Sequence, residues 1–210
     1  MYYSQDGEDK YICETFFKAK QNGFFIELGA CDGLHFSNTK FFEDQRSWTG
    51  ILIEPQPVYF NQIAKNRPKS ITYNCAILDS DLPIEMVVRS WLNEGDPVGT
   101  LAEYTFSEHR THWHSENSKS IQVNTRRLDD ILHENSVESI DLFSLDVEGS
   151  EFEVLQTMNW SIPVGVLLIE MLKENEDKNT LCRNLLLQNN YTFHSTIGNN
   201  EIWLGTKELK

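Results

Sequence analysis

The sequence predicts an α/β fold: a mostly parallel, seven-stranded sheet that ends in an antiparallel C-terminal hairpin. Three observations carry this. Apolar runs such as Phe24-Phe25-Ile26-Glu27-Leu28 and Gly50-Ile51-Leu52-Ile53 each end in a turn or an acid, as strands of a doubly wound sheet do. Segments of helical spacing alternate with them. The chain's end then breaks that alternation, because residues 191–196 and 201–206 read as two strands joined by Gly198-Asn199-Asn200, a hairpin signal.

The remaining elements follow in order. Residues 7–20 carry Ile12, Phe16, Phe17 and Ala19 at helical spacing, with Asn22-Gly23 as the stop. Ser37-Asn38-Thr39 offers helix N-caps before Phe41 and Phe42. Residues 57–66 form a short helix with Phe60, Ile63 and Ala64 inward, closed by Pro68. Residues 70–78 are a third strand and residues 140–146 a fourth. Ser150 and Glu153 form a capping box for a helix carrying Phe152, Leu155 and Met158. Residues 164–171 are a fifth strand, nearly all apolar, and residues 180–188 a leucine-rich helix.

The segment 83–126 departs from the alternation. Residues 83–89 and 121–126 look like short extra strands, and residues 90–119 between them are polar with little periodicity. Connections longer than about 12 to 15 residues are uncommon in compact domains unless they bind something or are disordered. His109, His112, His114, Trp91, Tyr104, Phe106 and Trp113 fall here. Such a loop suits either a stacking wall for an acceptor, sugars included, or a surface excursion packing its own aromatics. His112 and His114 alone lack a third partner for a metal.

The chemistry concentrates in Glu27-Leu28-Gly29-Ala30-Cys31-Asp32-Gly33. Two glycines allow close backbone approach to a ligand. A carboxylate inside an apolar strand is costly unless something meets it. The dinucleotide fingerprint G-x-G-x-x-G is missing, and an acidic loop is a poor phosphate site. S-adenosylmethionine (SAM), with its sulfonium and ammonium groups, suits an acidic loop. Glu54 stands 25 residues after Gly29 at the end of the second strand. That is close to the ~20-residue spacing at which an acid meets a nucleoside ribose. Its plainer reading is a solvated acid at a strand end.

Composition narrows the partners. At 210 residues with 40% hydrophobic content, the chain is read as a single domain over residues 1–210, with residues 90–119 inserted. The net charge of −14 argues against nucleic acid and anionic membranes and favours a neutral or cationic small molecule or a neutral glycan. No apolar run approaches the ~18 to 20 residues of a membrane span, and the start does not resemble a signal peptide. Cys13, Cys31, Cys75 and Cys182 form no C-x-x-C pair, which suits reduced thiols in a cytoplasmic protein. Cys31 and Cys75 read as small packing residues rather than nucleophiles.

Taken together, the motifs resemble one family along nearly the whole chain. They are Tyr3-Ser4-Gln5-Asp6-Gly7-Glu8-Asp9, the Glu27–Gly33 loop, Ser37-Asn38-Thr39, Ile53-Glu54-Pro55 and Asp146-Val147-Glu148-Gly149-Ser150-Glu151. The chain resembles the FkbM-like family of SAM-dependent methyltransferases. That resemblance implies a Rossmann-like class I methyltransferase fold that binds SAM and methylates an oxygen of a sugar, glycan, lipid or secondary metabolite. It also implies a domain often fused to, or working with, glycosyltransferases. The 90–119 insert departs from the simplest pattern and leaves the acceptor open.

On this reading the cofactor-binding set is Gln5, Glu27, Gly29, Asp32, Gly33, Asn38, Glu54, Pro55, Cys75, Ala76, Ile77 and Asp146. Gln5 and Asn38 are placed at the methionine end by the resemblance alone. Methyl transfer to an alcohol needs a base, or a metal that lowers the hydroxyl's pKa. Asp146, Glu148 and His109 are the catalytic candidates, and Asp146 with Glu170 is a candidate Mg²⁺ or Mn²⁺ site. Glu148 equally fits an acid that stabilises a helix N-terminus, and for Glu151 that reading is the favoured one. Two other readings stay open: a catalytically silent SAM-binding module, and a nucleotide-dependent oxidoreductase, which the acidic loop and final hairpin disfavour.

Overall fold

The computed structural model describes residues 1–89, 99–101, 118–205 and 208. The aromatic and histidine-rich part of the predicted loop, including His109 and Trp113, lies outside the described residues. In the main sheet, strands β1 (Phe24–Leu28), β2 (Thr49–Ile53), β3 (Ile71–Tyr73), β9 (Ile140–Leu145) and β10 (Val164–Glu170) are parallel. The hairpin β11 (Thr192–Ile197) and β12 (Asn200–Leu204) completes seven strands in the order β11-β12-β10-β9-β1-β2-β3. β12 lies antiparallel beside β10. This is the predicted fold class, hairpin included.

Helices cover both faces. Ile12 and Cys13 of α1 (Glu8–Thr15), Phe41 and Phe42 of α2 (Lys40–Arg46) and Ile63 of α3 (Pro57–Asn66) pack on one face with Phe25, Leu52 and Leu142. On the other, α4 (Leu128–Glu134), α5 (Glu151–Gln156) and α6 (Glu176–Gln188) bury Leu128, Leu155 and Leu186 against Ile26, Ile51 and Phe143. Among the described residues no helix is long and apolar enough to cross a membrane.

Several local expectations are corrected. The first helix stops at Thr15 rather than Lys20, and the chain turns so that Phe17 is fully buried edge-on against Trp48. Ala64 of α3 is exposed. The third strand divides after Tyr73, because the Asn74 amide donates to the carbonyls of Glu54 (2.8 Å) and Pro55 (3.0 Å) and bends the chain. The next stretch, β4 (Ala76–Ile77), pairs instead with β8 (Thr125–Arg126). β5 (Ile84–Arg89), β6 (Gly99–Leu101) and β7 (Ser118–Val123) form a separate antiparallel sheet beside it. No capping box forms at α5: the Ser150 hydroxyl donates to the Val147 carbonyl, and Glu153 pairs with Lys178 at 2.9 Å.

The acid on β1 is met inside the protein. Arg67, fully buried just past α3, is held 3.0 Å from Glu43 of α2 and 3.5 Å from Glu27. It also donates to the Gly33 carbonyl, the Ser37 hydroxyl and the Thr39 hydroxyl, with its guanidinium 5.1 Å over the Phe25 ring. Glu27 takes further bonds from the Ser37 and Thr39 hydroxyls and the Asn38 amide.

Removing Arg67 strands two buried carboxylates. Arg67→Met is therefore expected to cost about 3–5 kcal/mol in urea denaturation. Glu27→Gln should cost less, since its three local donors remain. A loss below ~1 kcal/mol in Arg67→Met would show that the network contributes little.

Candidate active site at the carboxyl ends of the strands

Register creates the site. Leu28 of β1 lies opposite Ile53 of β2 and Leu145 of β9, and Leu145 lies opposite Ile169 of β10. The next residue on each strand therefore stands in one level row: Glu54, Gly29, Asp146, Glu170. The chain leaves β1 toward β2 on one side, and β9 fills the other. Doubly wound sheets bind ligands in the crevice at such a switch point. A cavity opens there.

Most of the predicted cofactor residues line it. Gly29, Glu54 and Pro55 do so from the first two strand ends, and Cys75, Ala76 and Ile77 from the bend after β3. Gln5, Glu27 and Asn38 line it from the other side, and Asp146 and Glu148 from the end of β9. Asp32 and Gly33, read from sequence as ligand contacts, are not among the lining residues. Asp32 closes its own turn, accepting the Leu34 and His35 amides (both 2.9 Å) and His35 Nδ1 (2.6 Å). A Cβ on Gly33 would come within 2.7 Å of Arg67 Cγ, so that glycine makes room for the arginine. Glu170 is also outside the lining, though it reaches Asp146.

Gly29 has no substitute. Its φ is +74°, and a Cβ there would fall 1.7 Å from the Asp146 carbonyl oxygen. The first strand end and the fourth can meet only without a side chain at that point. Glu54 is buried and accepts the Cys31 amide at 2.9 Å through Oε2 and the Gln56 amide at 2.7 Å through Oε1. Each oxygen keeps a second lone pair. Asn38 donates to the Ser144 hydroxyl at 3.0 Å, while its Oδ1 is buried without a hydrogen-bond partner among the described residues.

The acids crowd one another. Asp146, Glu148 and Glu170 each offer one oxygen within 4.8 Å of the others, an arrangement that could hold a cation. Desolvation, reinforced by the charges of Asp146, Glu148 and Glu151, pushes Glu170 up to about 11. It is therefore protonated at neutral pH and hydrogen-bonded to Asp146. Desolvation raises Asp146 to about 6, with the Glu170 bond opposing the rise. Desolvation likewise raises Glu151 to about 7 and Glu54 to about 8, although backbone amides bond to both. Burial raises the thiols of Cys31 to about 12 and Cys75 to about 11, so neither is a thiolate at neutral pH.

Sequence reading missed Arg67, Ser144 and the wall that Met86 and Leu101 provide from the small sheet. Arg67 had one signal: an acid buried on β1 requires a cation, though nothing local says which.

These raised carboxyls set a pH dependence. All four hold their protons more tightly in the folded chain than in the unfolded one. The folded state thus binds more protons from about pH 4 up to about pH 11, where Glu170 titrates, and stability is lost as pH rises through that window. Asp32 acts oppositely: burial would raise it, but the His35 and Leu34 bonds win and hold it low, so its contribution is lost only in acid. The ligand-free protein should melt at progressively lower temperature between about pH 5 and pH 8 at fixed ionic strength, with a shallower slope in Glu54→Gln. A melting temperature that stays level or rises over that range would contradict the burial of these acids.

The FkbM methyltransferase domain profile matches residues 27–195. The crystal structure of an FkbM methyltransferase from Methylobacillus flagellatus KT superposes with a TM-score of 0.57 at 12% identity, over 96% of this chain and 48% of that one. The chain thus spans about half the length of that protein. Precorrin-6y C5,15-methyltransferase from Geobacter metallireducens GS-15 matches with a TM-score of 0.47 at 10% identity, over 95% and 87% of the two chains. Aeropyrum pernix fibrillarin, solved with natively bound SAM, gives 0.46 at 12%, over 89% and 67%. No curated protein matches the chain. With more than half of its length matched by the family and the sheet order described above, the chain belongs to the FkbM family of SAM-dependent methyltransferases and has their class I fold.

Proposed function

We propose that this protein is an O-methyltransferase that moves the methyl group of SAM to a hydroxyl of a sugar or glycan. The observation that carries the reading is the level row Glu54, Gly29, Asp146, Glu170, of which the first three line one cavity. The donor set suits SAM. Glu54, fixed by two backbone amides, has lone pairs left for both ribose hydroxyls. The unpartnered Asn38 Oδ1 is an acceptor for the ammonium group. Cys75, Ala76 and Ile77 offer an apolar edge for the adenine. No Lys or Arg lines the cavity among the described residues, so a neutral polyol suits it better than a phosphorylated acceptor.

When bound, SAM supplies a methyl group on a positively charged sulfur that leaves as a neutral thioether. The protein's part is alignment, exclusion of water and removal of the hydroxyl proton. Asp146 is the base in this reading. Raised to about 6, it is a stronger base than an ordinary carboxylate yet still ionised at neutral pH. The protonated Glu170 beside it holds its orientation. In a second form of the mechanism, Asp146, Glu148 and Glu170 hold Mg²⁺ or Mn²⁺, which would acidify the hydroxyl directly. A glycosyltransferase that supplies the sugar is the partner this reading implies.

Thermal shift with SAM against NAD tests the cofactor. A methyl-group mass gain on one member of a glycan and methyl-glycoside panel tests the acceptor. Turnover only on lipid or polyketide hydroxyls would replace the sugar, and SAM binding without transfer to any acceptor would make this a silent module. Two variants sharpen the assignment. Glu54→Ala should weaken SAM binding by about 1.5–3 kcal/mol for each hydrogen bond lost, and calorimetry showing unchanged affinity would remove the ribose role. Asp146→Asn should lower turnover about 10²- to 10⁴-fold while still binding SAM. Full activity in EDTA would exclude the metal form, and wild-type turnover by Asp146→Asn would exclude both.

A further inference from the structure

Residues 146–150, between β9 and α5, make an unfavourable turn. Glu148 is a non-glycine residue at φ +56°, followed by Gly149 at φ +104°. Left-handed backbone at a glutamate persists only where its surroundings enforce it. Here the enforcement can be traced. One oxygen of Glu151, Oε1, accepts the Val147 amide at 3.2 Å and the Gly149 amide at 3.1 Å, the amides of the two residues that flank Glu148. On the other side, Lys178 Nζ of α6 donates to the Gly149 carbonyl at 2.8 Å and is anchored by Glu153 at 2.9 Å. The Gly149 residue is thus held at both its amide and its carbonyl.

We propose that Glu151 and Lys178 are positioning residues for methyl transfer, bracketing this turn so that the Glu148 carboxylate stays beside Asp146 and Glu170. The inference rests on the reading that those acids face the acceptor. Neither Glu151 nor Lys178 lines the cavity, whereas Asp146 and Glu148 do, so any effect of the bracket passes through the turn. The ordinary account of Glu151, an acid stabilising a helix N-terminus, covers only its bond with its own amide, the first of α5; the Val147 and Gly149 amides it also binds lie ahead of the helix. A buried carboxylate beside Asp146 is also an unfavourable placement, which the amide bonds offset only in part.

The test uses the full chain and four variants: Glu151→Ala, Glu151→Gln, Lys178→Met and Glu148→Gln. Three quantities are read: SAM affinity by calorimetry, hydrogen exchange at the Val147 and Gly149 amides, and turnover of labelled SAM on the best acceptor of the glycoside panel. Misplacement of a catalytic group by about 1 Å can cost ~10²-fold in rate. Glu151→Ala should lose turnover on that scale with SAM affinity unchanged and with faster exchange at both amides. Glu151→Gln should restore both, because an amide oxygen accepts the same two bonds without charge. Lys178→Met should fall between them.

Wild-type turnover in Glu151→Ala, or unchanged exchange there, overturns the inference. So does a Glu151→Gln protein as slow as Glu151→Ala, which would make charge rather than the bracket the cause. If Glu151→Ala does not fold, Glu151→Gln and Lys178→Met still decide it. Glu148→Gln at the wild-type rate would instead sink the catalytic reading of the turn's acid, and amide exchange would still report on the bracket.

Discussion

A carboxylate on the central strand of a parallel sheet survives only where it is met by enough donors, and in this chain the donor that matters is Arg67. Its guanidinium joins β1 through Glu27, α2 through Glu43 and the intervening loop through the Gly33 carbonyl and the Ser37 and Thr39 hydroxyls. Much of the cofactor-side wall follows from that single group. Gly33 must lack a side chain so that the arginine stem can pass. Ser37, Asn38 and Thr39 are drawn onto Glu27, and the Ser37 oxygen then accepts the Lys40 amide at the start of α2. Asn38 reaches Ser144 on β9 because its own backbone is pinned this way. Glu27 thus acts on the cavity mainly by shaping it, since its oxygens already serve protein donors.

The second constraint is register. Parallel strands paired in phase must end in phase, so whatever residue follows each strand becomes a neighbour of the others. Here three of the four residues in that row are acids, and Gly29 lets the first and fourth strand ends approach. Burial, with the neighbouring charges adding to it, is why Glu170 keeps its proton and why Asp146 sits above the ordinary carboxylate range. The site is therefore the least comfortable part of an otherwise well-satisfied fold, as expected where binding and chemistry take precedence over stability.

What the sequence made legible was whatever is local in the chain. Apolar runs located the main strands, and Gly198 with Asn199 and Asn200 located the hairpin. The acids at strand ends marked the candidate cavity, because a carboxylate after an apolar run has few structural uses. What stayed illegible depends on contacts distant in sequence. Arg67 is 40 residues from Glu27, and nothing near either names the other. The third strand divides because Asn74 captures two carbonyls of the loop after β2, a contact no propensity scale contains. The Ser150 and Glu153 pattern fits a capping box, yet Lys178 from another helix takes Glu153 and the neighbouring Glu151 takes the free amides. Asp32 and Gly33 were misread for a related reason: their motif suits a ligand loop, and a turn and an arginine stem need the same two residues.

Crowded acids also bear on how donor and acceptor share one cavity. Buried acids placed side by side lower their cost by keeping protons, so Glu170, and for the most part Glu54, are neutral near pH 7. A ligand that brings positive charge removes the reason for keeping them. By linkage, cation binding and proton release are then one equilibrium. In the proposed reaction the sulfonium supplies that charge before transfer and loses it with the methyl group. The row would favour its ionised form while the donor is charged and draw protons back once the neutral thioether is left. Asp146 would be most available as a base when the methyl group is present and would gain a proton as it departs. The same acids would hold the neutral product less firmly than the charged donor, a difference that helps the site clear. The strain of placing three carboxylates together thus has a chemical use that a single, well-solvated aspartate at the end of β9 would not provide.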